Sequence, residues 1–298
     1  MMHNDTISPT PADASADASF SYAALWRRLS PLYGDAEAKA IVRTLLTETF
    51  SLTTADLYCD GAAGLSDAQK QRLAEMMQRL SQAEPLQYVI GEERFCGHTF
   101  RVAPGVLIPR PETEGLVEMA LHTLKEQSRP ADVLDIGTGS GCIAASIAIA
   151  LPQANVTAWD ISDKAIAIAR DNMQRLHAAV TVERRDALCP PDDAGRWDLI
   201  VSNPPYICRS EQADMHRNVT DYEPDTALFV PDDDPLVFYR AIARYAAKAL
   251  RPGGTLLFEC NTTYAADTAR MLREMGFAST EVQDDLYGKP RFSCARRA

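Results

Sequence analysis

The sequence predicts an α/β protein in which a small helical bundle precedes a mostly parallel sheet of seven strands. From Val133 onward, short apolar segments typical of buried strands alternate with helical segments. Such alternation is typical of a parallel sheet covered by helices on both faces. Before residue 85 the apolar residues instead follow the spacing of one helix face, as do Leu73, Met76, Met77 and Leu80.

The N-terminal region is predicted to contain a tail followed by the bundle. Residues 1–19 are rich in Ser, Asp, Ala, Pro and Thr, which predicts disorder, and they lack the basic and apolar segments of a secretory signal. Gly34 and the Gly61–Gly64 stretch divide residues 20–84 into several helices, and Glu84-Pro85 is predicted to end the bundle. We expect this bundle to dock a protein substrate.

Residues 85–110 are predicted to form a hairpin linker. The strand-like segments lie around Phe95, at Thr99–Val102 and at Val106-Leu107-Ile108, with Gly97-His98 between the first two. Pro109-Arg110-Pro111 cannot continue a central strand, because proline lacks the N–H that the ladder requires. The main domain is therefore predicted to span residues 111–298. It starts with a helix whose first turn contains Glu112 and Glu114, where the helix dipole favours acids.

The main domain is predicted to contain seven strands. Helices are predicted to begin at Gly141 and Asp163, and a strongly amphipathic helix at Val237 to Leu250. The predicted strands are Val133–Ile136, Val156–Trp159, Val180–Glu183, Leu199–Ser202, Thr255–Glu259, and a closing pair at Ala278–Val282 and Arg291–Ala295.

Composition excludes several classes of function. A net charge of −11 argues against a surface built to neutralise many phosphates, although a local basic cleft stays possible. The seven cysteines are scattered without C-x-x-C spacing, so we expect neither a disulfide framework nor a zinc site, and a reducing cytosol as the compartment. The longest apolar run, Cys142 to Leu151, is about half a membrane span, so we expect a soluble protein.

A glycine-rich turn follows the first predicted strand of the sheet. Its residues are Gly137, Thr138, Gly139, Ser140 and Gly141. Glycines allow a tight turn and close approach of the backbone to a ligand. The dinucleotide pattern G-x-G-x-x-G would require glycine where Cys142 stands. The spacing therefore favours S-adenosylmethionine over NAD, while a glycine turn alone also occurs without any ligand.

Two further strand ends are predicted to contribute to the same pocket. Asp160 ends the second strand, 23 positions after Gly137, where a carboxylate can accept both ribose hydroxyls. Asp186, after the third strand, is expected to face the adenine rim, and Ala187 to pack on the ring. Each acid alone is compatible with a solvated strand end. Their convergence with the glycine turn predicts a cofactor site.

The sequence Asn203-Pro204-Pro205-Tyr206 follows the fourth strand and is predicted to hold the methyl acceptor. An amide or aryl-amine nitrogen is a poor nucleophile, because its lone pair is delocalised. The Asn203 side-chain oxygen and the Pro204 carbonyl can accept its N–H bonds, and the prolines stiffen the loop. Tyr206 is expected to offer a flat face to a planar group. This chemistry needs positioning, not an acid, a nucleophile or a metal.

The segment after this motif bears on which nitrogen is methylated. Between Ile207 and Asp234 there are eight acids and two arginines, Arg209 and Arg217. Phosphates of a nucleic acid would be repelled there, whereas a glutamine on a protein loop would not. An adenine-N6 methyltransferase and a cofactor-binding regulatory protein without catalysis remain the alternatives.

The chain resembles the release factor glutamine methyltransferases, the HemK/PrmC family, from about Phe20 to its end. The matching motifs are Pro85-Leu86-Gln87-Tyr88-Val89-Ile90-Gly91, Leu107-Ile108-Pro109-Arg110-Pro111-Glu112-Thr113-Glu114, the glycine turn, Asn203-Pro204-Pro205-Tyr206-Ile207, and Tyr222-Glu223-Pro224 with Ala227-Leu228. The chain departs from the family at Cys260-Asn261-Thr262-Thr263 and at Pro290 within Gly288-Lys289-Pro290-Arg291.

This resemblance implies a helical N-terminal domain, a hairpin linker and a Rossmann-like, class I S-adenosylmethionine-dependent domain. It implies methylation of the side-chain nitrogen, N5, of the glutamine in the Gly-Gly-Gln loop of class I peptide chain release factors. Asn203 would then contact both cofactor and glutamine. The related enzymes that act on a ribosomal-protein glutamine are the alternative. The expected protein is a cytoplasmic monomer that binds no nucleic acid directly, no membrane and no metal.

Overall fold

The computed structural model describes residues 19–59, 61–125 and 129–298. The chain forms two compact units that meet in sequence between Ile90 and Gly91. The predicted disordered tail lies outside the described residues, apart from Ser19. Across the described part of the chain, no helix combines the length and the apolar character that crossing a bilayer requires.

The N-terminal unit is helical, as predicted. Its α-helices are α1 (Tyr22–Phe50), α2 (Thr54–Tyr58), α3 (Asp67–Ser81) and α4 (Leu86–Ile90), with a 3₁₀ turn at Gly61–Gly64. The break predicted at Gly34 is a kink inside α1, where this residue has φ 76° and ψ 162°. Capping boxes start α2 at Thr53 and α3 at Ser66.

The apolar stripe of α3 forms part of the core of this unit. Leu73, Met76, Met77 and Leu80 are all buried, as their spacing predicted. They belong to one cluster with apolar side chains of α1, including Leu25 and Val42. This packing confirms the predicted bundle.

The N-terminal unit ends at Ile90, so the prediction that Glu84-Pro85 ends the bundle was wrong. Proline is well suited to the first turn of a helix, because the N–H that it lacks would have no partner there. The Pro85 carbonyl accepts from the Val89 N–H at 3.0 Å. The Arg79 guanidinium donates to the Tyr88 carbonyl at 2.9 Å and pairs with Glu84 at 2.5 Å. Together these contacts fix the added helix α4.

The C-terminal unit begins with the predicted hairpin, formed by β1 (Glu92–Phe95) and β2 (His98–Arg101). The further strand-like segment expected at Val106-Leu107-Ile108 is not a strand. Its Ile108 N–H donates to the Glu223 carboxylate at 3.0 Å instead of joining a ladder. A 3₁₀ turn, Pro111–Thr113, then leads into the helix α5 (Glu114–Leu124).

The strands and helices predicted from Val133 onward are present, most of them with bounds within one or two residues. Three further helices, at Arg217–Thr220, Asp225–Leu228 and Ala265–Glu274, and two short strands, at Ile207–Cys208 and Phe229–Val230, were not predicted. The helices are α6 (Cys142–Ala150), α7 (Asp163–Leu176), α8 (Arg217–Thr220), α9 (Asp225–Leu228), α10 (Val237–Ala249) and α11 (Ala265–Glu274), with a 3₁₀ turn at Arg209–Asp214. The strands are β3 (Asp132–Ile136), β4 (Asn155–Asp160), β5 (Val180–Arg184), β6 (Trp197–Ser202), β7 (Ile207–Cys208), β8 (Phe229–Val230), β9 (Leu250–Glu259), β10 (Ser279–Asp284) and β11 (Pro290–Arg296).

Seven strands form one sheet in the order β10-β11-β9-β6-β3-β4-β5, which confirms the predicted mostly parallel sheet. The five neighbouring strands β9, β6, β3, β4 and β5 are parallel. Next to β9, β11 pairs antiparallel with it, and β10 pairs antiparallel with β11 at the edge of the sheet. Successive residues of a strand point to opposite faces. Val133 accordingly packs with α5 and α6, and Leu134 packs with α10 and α11.

The order of the strands places three loops side by side. The chain moves from β3 to β4 and β5 on one side, then returns to β6 on the other side of β3. Ile136 at the end of β3 is in register with Trp159 of β4 and Ser202 of β6. Ligands of such sheets bind outside the carboxyl ends of the strands at this reversal point. The loops after β3, β4 and β6 are those that the sequence singled out.

Candidate active site

A cavity of about 370 Å³ lies at the carboxyl ends of β3, β4 and β6. Its volume is within the roughly 300–1,000 Å³ that is typical of small-molecule sites. The predicted site residues that line it are Gly137, Gly139, Asp160, Asp186, Ala187, Asn203, Pro204 and Pro205. The structure therefore brings both predicted motifs to one cavity. Thr138, Ser140, Gly141 and Tyr206 do not line it.

The glycine turn is held by hydrogen bonds to the end of β4. The N–H groups of Gly137 and Thr138 both donate to the Trp159 carbonyl at 2.9 Å. Gly141 has φ +83°, and a Cβ there would lie 2.4 Å from the Met173 side chain. Glycine is strongly favoured here, because the backbone is left-handed and Ala169 of α7 would lie 3.3 Å from an added Cβ.

Thr138 supports the turn from behind through its side chain, and Ser140 does so through its main chain. Both are buried. The Thr138 hydroxyl donates to Asp135 at 2.6 Å, and the Ser140 carbonyl accepts from the Asn172 side chain at 2.9 Å. Any contact of these two residues with a cofactor would therefore be made by their main chain.

Asp135 is a functional candidate that the sequence reasoning missed. It is fully buried in β3, two residues before Gly137. Burial raises the pKa of its carboxyl to about 7, and the nearby Asp160 charge adds to this effect, although the Thr138 hydrogen bond opposes it. An acid among the apolar residues Val133, Leu134 and Ile136, two positions before a glycine turn, was the signal that could have identified it.

We expect the Asp135→Asn substitution to change how stability depends on pH. A raised pKa means that the folded state binds more protons than the unfolded state between about pH 4 and pH 7. Wild-type stability therefore falls as pH rises through this window and becomes flat above it. The free energy of unfolding of the variant minus that of wild type should therefore grow by roughly 2–3 kcal/mol from pH 5 to pH 8.

Urea unfolding at four pH values in this range measures that gain. Asp163→Asn is the matched control, because the Asp163 side chain is exposed. Parallel stability curves for Asp135→Asn and wild type would contradict the prediction.

Asp160 connects β4 to the glycine turn. One carboxylate oxygen accepts from the Gly139 N–H at 2.9 Å, and the other accepts from the Ser162 N–H at 2.8 Å. Burial raises the pKa of Asp160, while these N–H groups lower it. A carboxylate oxygen can accept more than one hydrogen bond, so both oxygens retain the capacity to accept from ligand hydroxyls.

Asp186 and Ala187 follow β5, which lies on the other side of β4 from the glycine turn. The Asp186 side chain accepts from the Leu188 N–H at 2.8 Å, which fixes the turn. Ala187 is half-buried and packs against the apolar cluster that contains Trp159. Both residues line the cavity, which is the position predicted for contacts with an adenine.

The acceptor motif begins where β6 ends. The Ser202 hydroxyl donates to the Ile136 carbonyl at 2.6 Å, which joins the ends of β6 and β3. The Asn203 side-chain N–H donates to the Thr113 hydroxyl at 3.3 Å. Pro204 and Pro205 continue along the wall of the cavity. The Asn203 side-chain oxygen is thereby available as an acceptor.

The structure places Tyr206 beside the cavity, not in its wall. Its ring packs against the apolar cluster of α10 and β9, and its hydroxyl donates to Glu259 at 3.1 Å. Burial and the Glu259 charge raise the pKa of Tyr206, so the hydroxyl stays protonated. The expected flat face for a planar group is therefore not part of the cavity, because this hydrogen bond holds the ring away from it. Tyr206 lines a second hollow with Met215 and Arg291.

Three buried polar residues near the site were not selected from the sequence: Thr113, Glu223 and Glu259. Glu223 accepts from the Ile108 N–H at 3.0 Å and from Arg110 at 2.5 Å. These contacts fix residues 108–110, which directly follow Gly105, Val106 and Leu107 in the wall of the cavity. Both partner segments had been noted as family motifs, but nothing in their spacing paired them.

The segment after the acceptor motif is acidic in the structure as well. Arg209 pairs with Asp225 at 3.1 Å, and Arg217 pairs with Asp221 at 3.1 Å. Both arginines of this segment are thus neutralised, and two more of its acids, Glu223 and Asp234, pair with Arg110 and Arg240 outside it. The eight acids of the segment still outnumber these four arginine partners. In the part of the chain that the structure describes, no group of three or more His, Cys, Asp or Glu side chains could hold a metal ion.

Known families match both units of the chain. Residues 27–91 match the family described as PrmC N-terminal domain, and residues 113–221 match the Methyltransferase small domain. A solved 16S rRNA methyltransferase of T. thermophilus, bound to AdoMet and guanosine, is 22% identical with a TM-score of 0.50. That likeness covers 70% of this chain and 50% of the other, and it shows the fold alone.

Curated relatives match almost the whole chain. A release factor glutamine methyltransferase of Bacteroides thetaiotaomicron is 45% identical over 270 residues, covering 90% of this chain and 96% of the relative. One from Flavobacterium psychrophilum is 38% identical over 88% of this chain and 93% of its own length. The chain belongs to the release factor glutamine methyltransferase family.

Proposed function

We propose that this protein transfers a methyl group from S-adenosylmethionine to the side-chain nitrogen, N5, of the glutamine in the Gly-Gly-Gln motif of class I peptide chain release factors, and so modulates translation termination. The observation that carries this proposal is the position of Asn203. Asn203 lines the same cavity as Gly137, Gly139 and Asp160, and its side-chain amide donates to the Thr113 hydroxyl. The proposed acceptor-binding residue and the proposed cofactor-binding residues therefore line one cavity.

The residues present fit the proposed cofactor. Asp160 would hold the ribose hydroxyls, and Asp186 and Ala187 would contact the adenine. The turn from Gly137 to Gly141, with Thr138 and Ser140 contributing main chain, would receive the rest of the molecule. When bound, the cofactor supplies a methyl group on a cationic sulfur.

The acceptor residues would act by positioning and by accepting hydrogen bonds. The Asn203 side-chain oxygen and the Pro204 carbonyl would each accept one N–H of the glutamine amide, which draws the lone pair of its nitrogen out of conjugation. The nitrogen would then form a bond to the methyl carbon as the carbon–sulfur bond breaks, with the bonding pair left on a neutral sulfur, and it would release one hydrogen as a proton to water. Pro204 and Pro205 hold the acceptors in place before the substrate arrives, and Tyr206 fixes the far end of the motif.

The charge around the site supports a protein as the acceptor. The acidic segment of residues 207–234 would repel the phosphates of a nucleic acid. We also propose that the helical N-terminal unit, assigned to residues 20–84 from the sequence and extending to Ile90 in the structure, docks the release factor. The protein would act as a monomer in the cytoplasm, where its substrate is found.

Transfer of labelled methyl groups tests this proposal. The protein is incubated with labelled S-adenosylmethionine and either a class I release factor or the same factor with its Gly-Gly-Gln glutamine changed to alanine. We expect label on the first substrate only. Label on both, or on neither, would contradict the proposal. A ribosomal protein and an adenine-containing oligonucleotide are tested in parallel, and label on one of these alone would identify the alternative acceptor.

A further inference from the structure

A buried carboxylate that the proposed reaction does not use lies beneath the acceptor motif. Glu259, the last residue of β9, is 1% exposed. Its Oε2 accepts from the Thr113 hydroxyl at 2.6 Å, and its Oε1 accepts from the Tyr206 hydroxyl at 3.1 Å. One carboxylate thus connects the start of α5 with the end of the acceptor motif.

The Thr113 hydroxyl determines how the Asn203 amide is turned. A hydroxyl has one hydrogen and can also accept. Since the Thr113 hydrogen is directed to Glu259, its oxygen presents only lone pairs to Asn203. The Asn203 amide must therefore turn its nitrogen toward Thr113, as it does at 3.3 Å. Its oxygen is left facing away from Thr113.

The other end of the acceptor motif is held by a second oriented amide. The Asn261 side-chain oxygen accepts from the Thr263 N–H at 2.9 Å, so its nitrogen is the end available to donate. That nitrogen donates to the Tyr206 carbonyl at 3.2 Å. The motif is therefore fixed at Asn203 through Thr113, and at Tyr206 through both Glu259 and Asn261.

We propose that Glu259 and Thr113 are positioning residues for methyl transfer. The Glu259 carboxylate accepts from the Thr113 hydroxyl, and the hydroxyl oxygen in turn accepts from the Asn203 side-chain nitrogen. The Asn203 oxygen is thereby directed toward the acceptor nitrogen. This inference rests on the proposed function of Asn203. Reversing the Asn203 amide would present N–H groups to the N–H groups of the substrate. Such a reversal would slow the transfer without removing any group that touches the cofactor.

The decisive comparison is between Thr113→Val and Thr113→Ser. Valine has nearly the same shape but no hydroxyl, so the Asn203 amide loses its orientation; serine restores the hydroxyl. With saturating cofactor and release factor, we expect single-turnover methylation to fall about 10- to 100-fold in Thr113→Val, which is typical of a small misplacement of a reacting group. Thr113→Ser should recover most of the rate.

Two readouts and a control variant separate positioning from a general structural role. The dissociation constant of the cofactor, measured by calorimetry, and the melting temperature should change little relative to the change in rate. Thr123→Val is the matched control, because the Thr123 hydroxyl donates to a carbonyl of the same helix at 2.8 Å, outside the site. A wild-type rate in folded Thr113→Val would overturn the proposal.

Glu259→Gln provides an independent test if Thr113→Val does not fold. Thr113 and Tyr206 donate to different oxygens of Glu259, and glutamine replaces one of these oxygens with an NH₂ group. That nitrogen cannot accept, so one of the two hydroxyls loses its acceptor at its present position. We expect a rate reduction of about 10-fold or more, with cofactor affinity retained. A folded Glu259→Gln protein with the wild-type rate would also overturn the proposal.

The labelling of the release factor by the wild-type protein distinguishes a failure of this inference from a failure of the proposed function. If the wild-type protein does not label the release factor, the proposed substrate is wrong. If it does label the release factor while Thr113→Val and Glu259→Gln label it equally fast, only the positioning roles of these two residues are wrong.

Discussion

Replacing Asn203 with alanine is expected to abolish most turnover while leaving cofactor binding nearly intact. The substitution removes one of two acceptors for the glutamine N–H groups, and Pro204 supplies only the other. Removing a single preorganised hydrogen-bonding group from an active site costs about 10²–10³-fold in rate. Asn203 lines the cavity, but Asp160 and the glycine turn supply most of the predicted cofactor contacts. Its loss should therefore change the cofactor dissociation constant by about threefold or less.

Single-turnover methylation of a release factor and calorimetric titration of the cofactor measure these two quantities separately. Asn155→Ala is the control, because Asn155 lies at the opposite, amino-terminal end of β4 and is exposed. Undiminished turnover in Asn203→Ala would exclude the hydrogen-bonding role of this side chain. Equal losses of turnover and of cofactor affinity would show that Asn203 binds the cofactor more than it activates the acceptor.

Most of the fold could be predicted because the local pattern and the tertiary structure agree. Segments such as Leu199-Ile200-Val201 are apolar at successive positions, which is typical of a strand covered on both faces. The errors occur where one residue type has two meanings. Pro85 was interpreted as the end of a helical region, yet it starts α4. The apolar segment around Leu107 resembled a strand, but the buried Glu223 carboxylate takes the Ile108 N–H.

The site was predictable to the extent that topology determines it. Parallel strands end at the same edge of a sheet, so Gly137, Asp160 and Asn203 had to be neighbours once the alternation was established. The supporting hydrogen bonds could not be predicted in this way. Thr113 and Glu259 are 146 positions apart, and no periodicity specifies that these two side chains share a hydrogen bond. The same applies to Tyr206, whose ring position depends on Glu259.

The Asp160→Ala substitution should have the converse effect to Asn203→Ala, because Asp160 is predicted to hold the cofactor and not the acceptor. Its two oxygens accept hydrogen bonds from the Gly139 and Ser162 N–H groups, and each can accept one more from a ribose hydroxyl. Hydrogen bonds to a charged group contribute about 1.5–3 kcal/mol each, so we expect the cofactor dissociation constant to rise at least about tenfold. Turnover at saturating cofactor should fall much less.

Calorimetric titration of the cofactor against Asp160→Ala, Asp160→Asn and wild type measures this effect. Asp163→Ala is the matched control: it removes the same charge three positions later, from a side chain that is 83% exposed. A general electrostatic effect on the cationic cofactor would weaken binding similarly in Asp160→Ala and Asp163→Ala, whereas a direct contact predicts weakening only at Asp160. Asp160→Asn should fall between wild type and alanine, because the amide keeps one acceptor oxygen for a site that uses two. Wild-type affinity in Asp160→Ala would mean that the ribose is held elsewhere, and that Asp160 serves only to join β4 to the glycine turn.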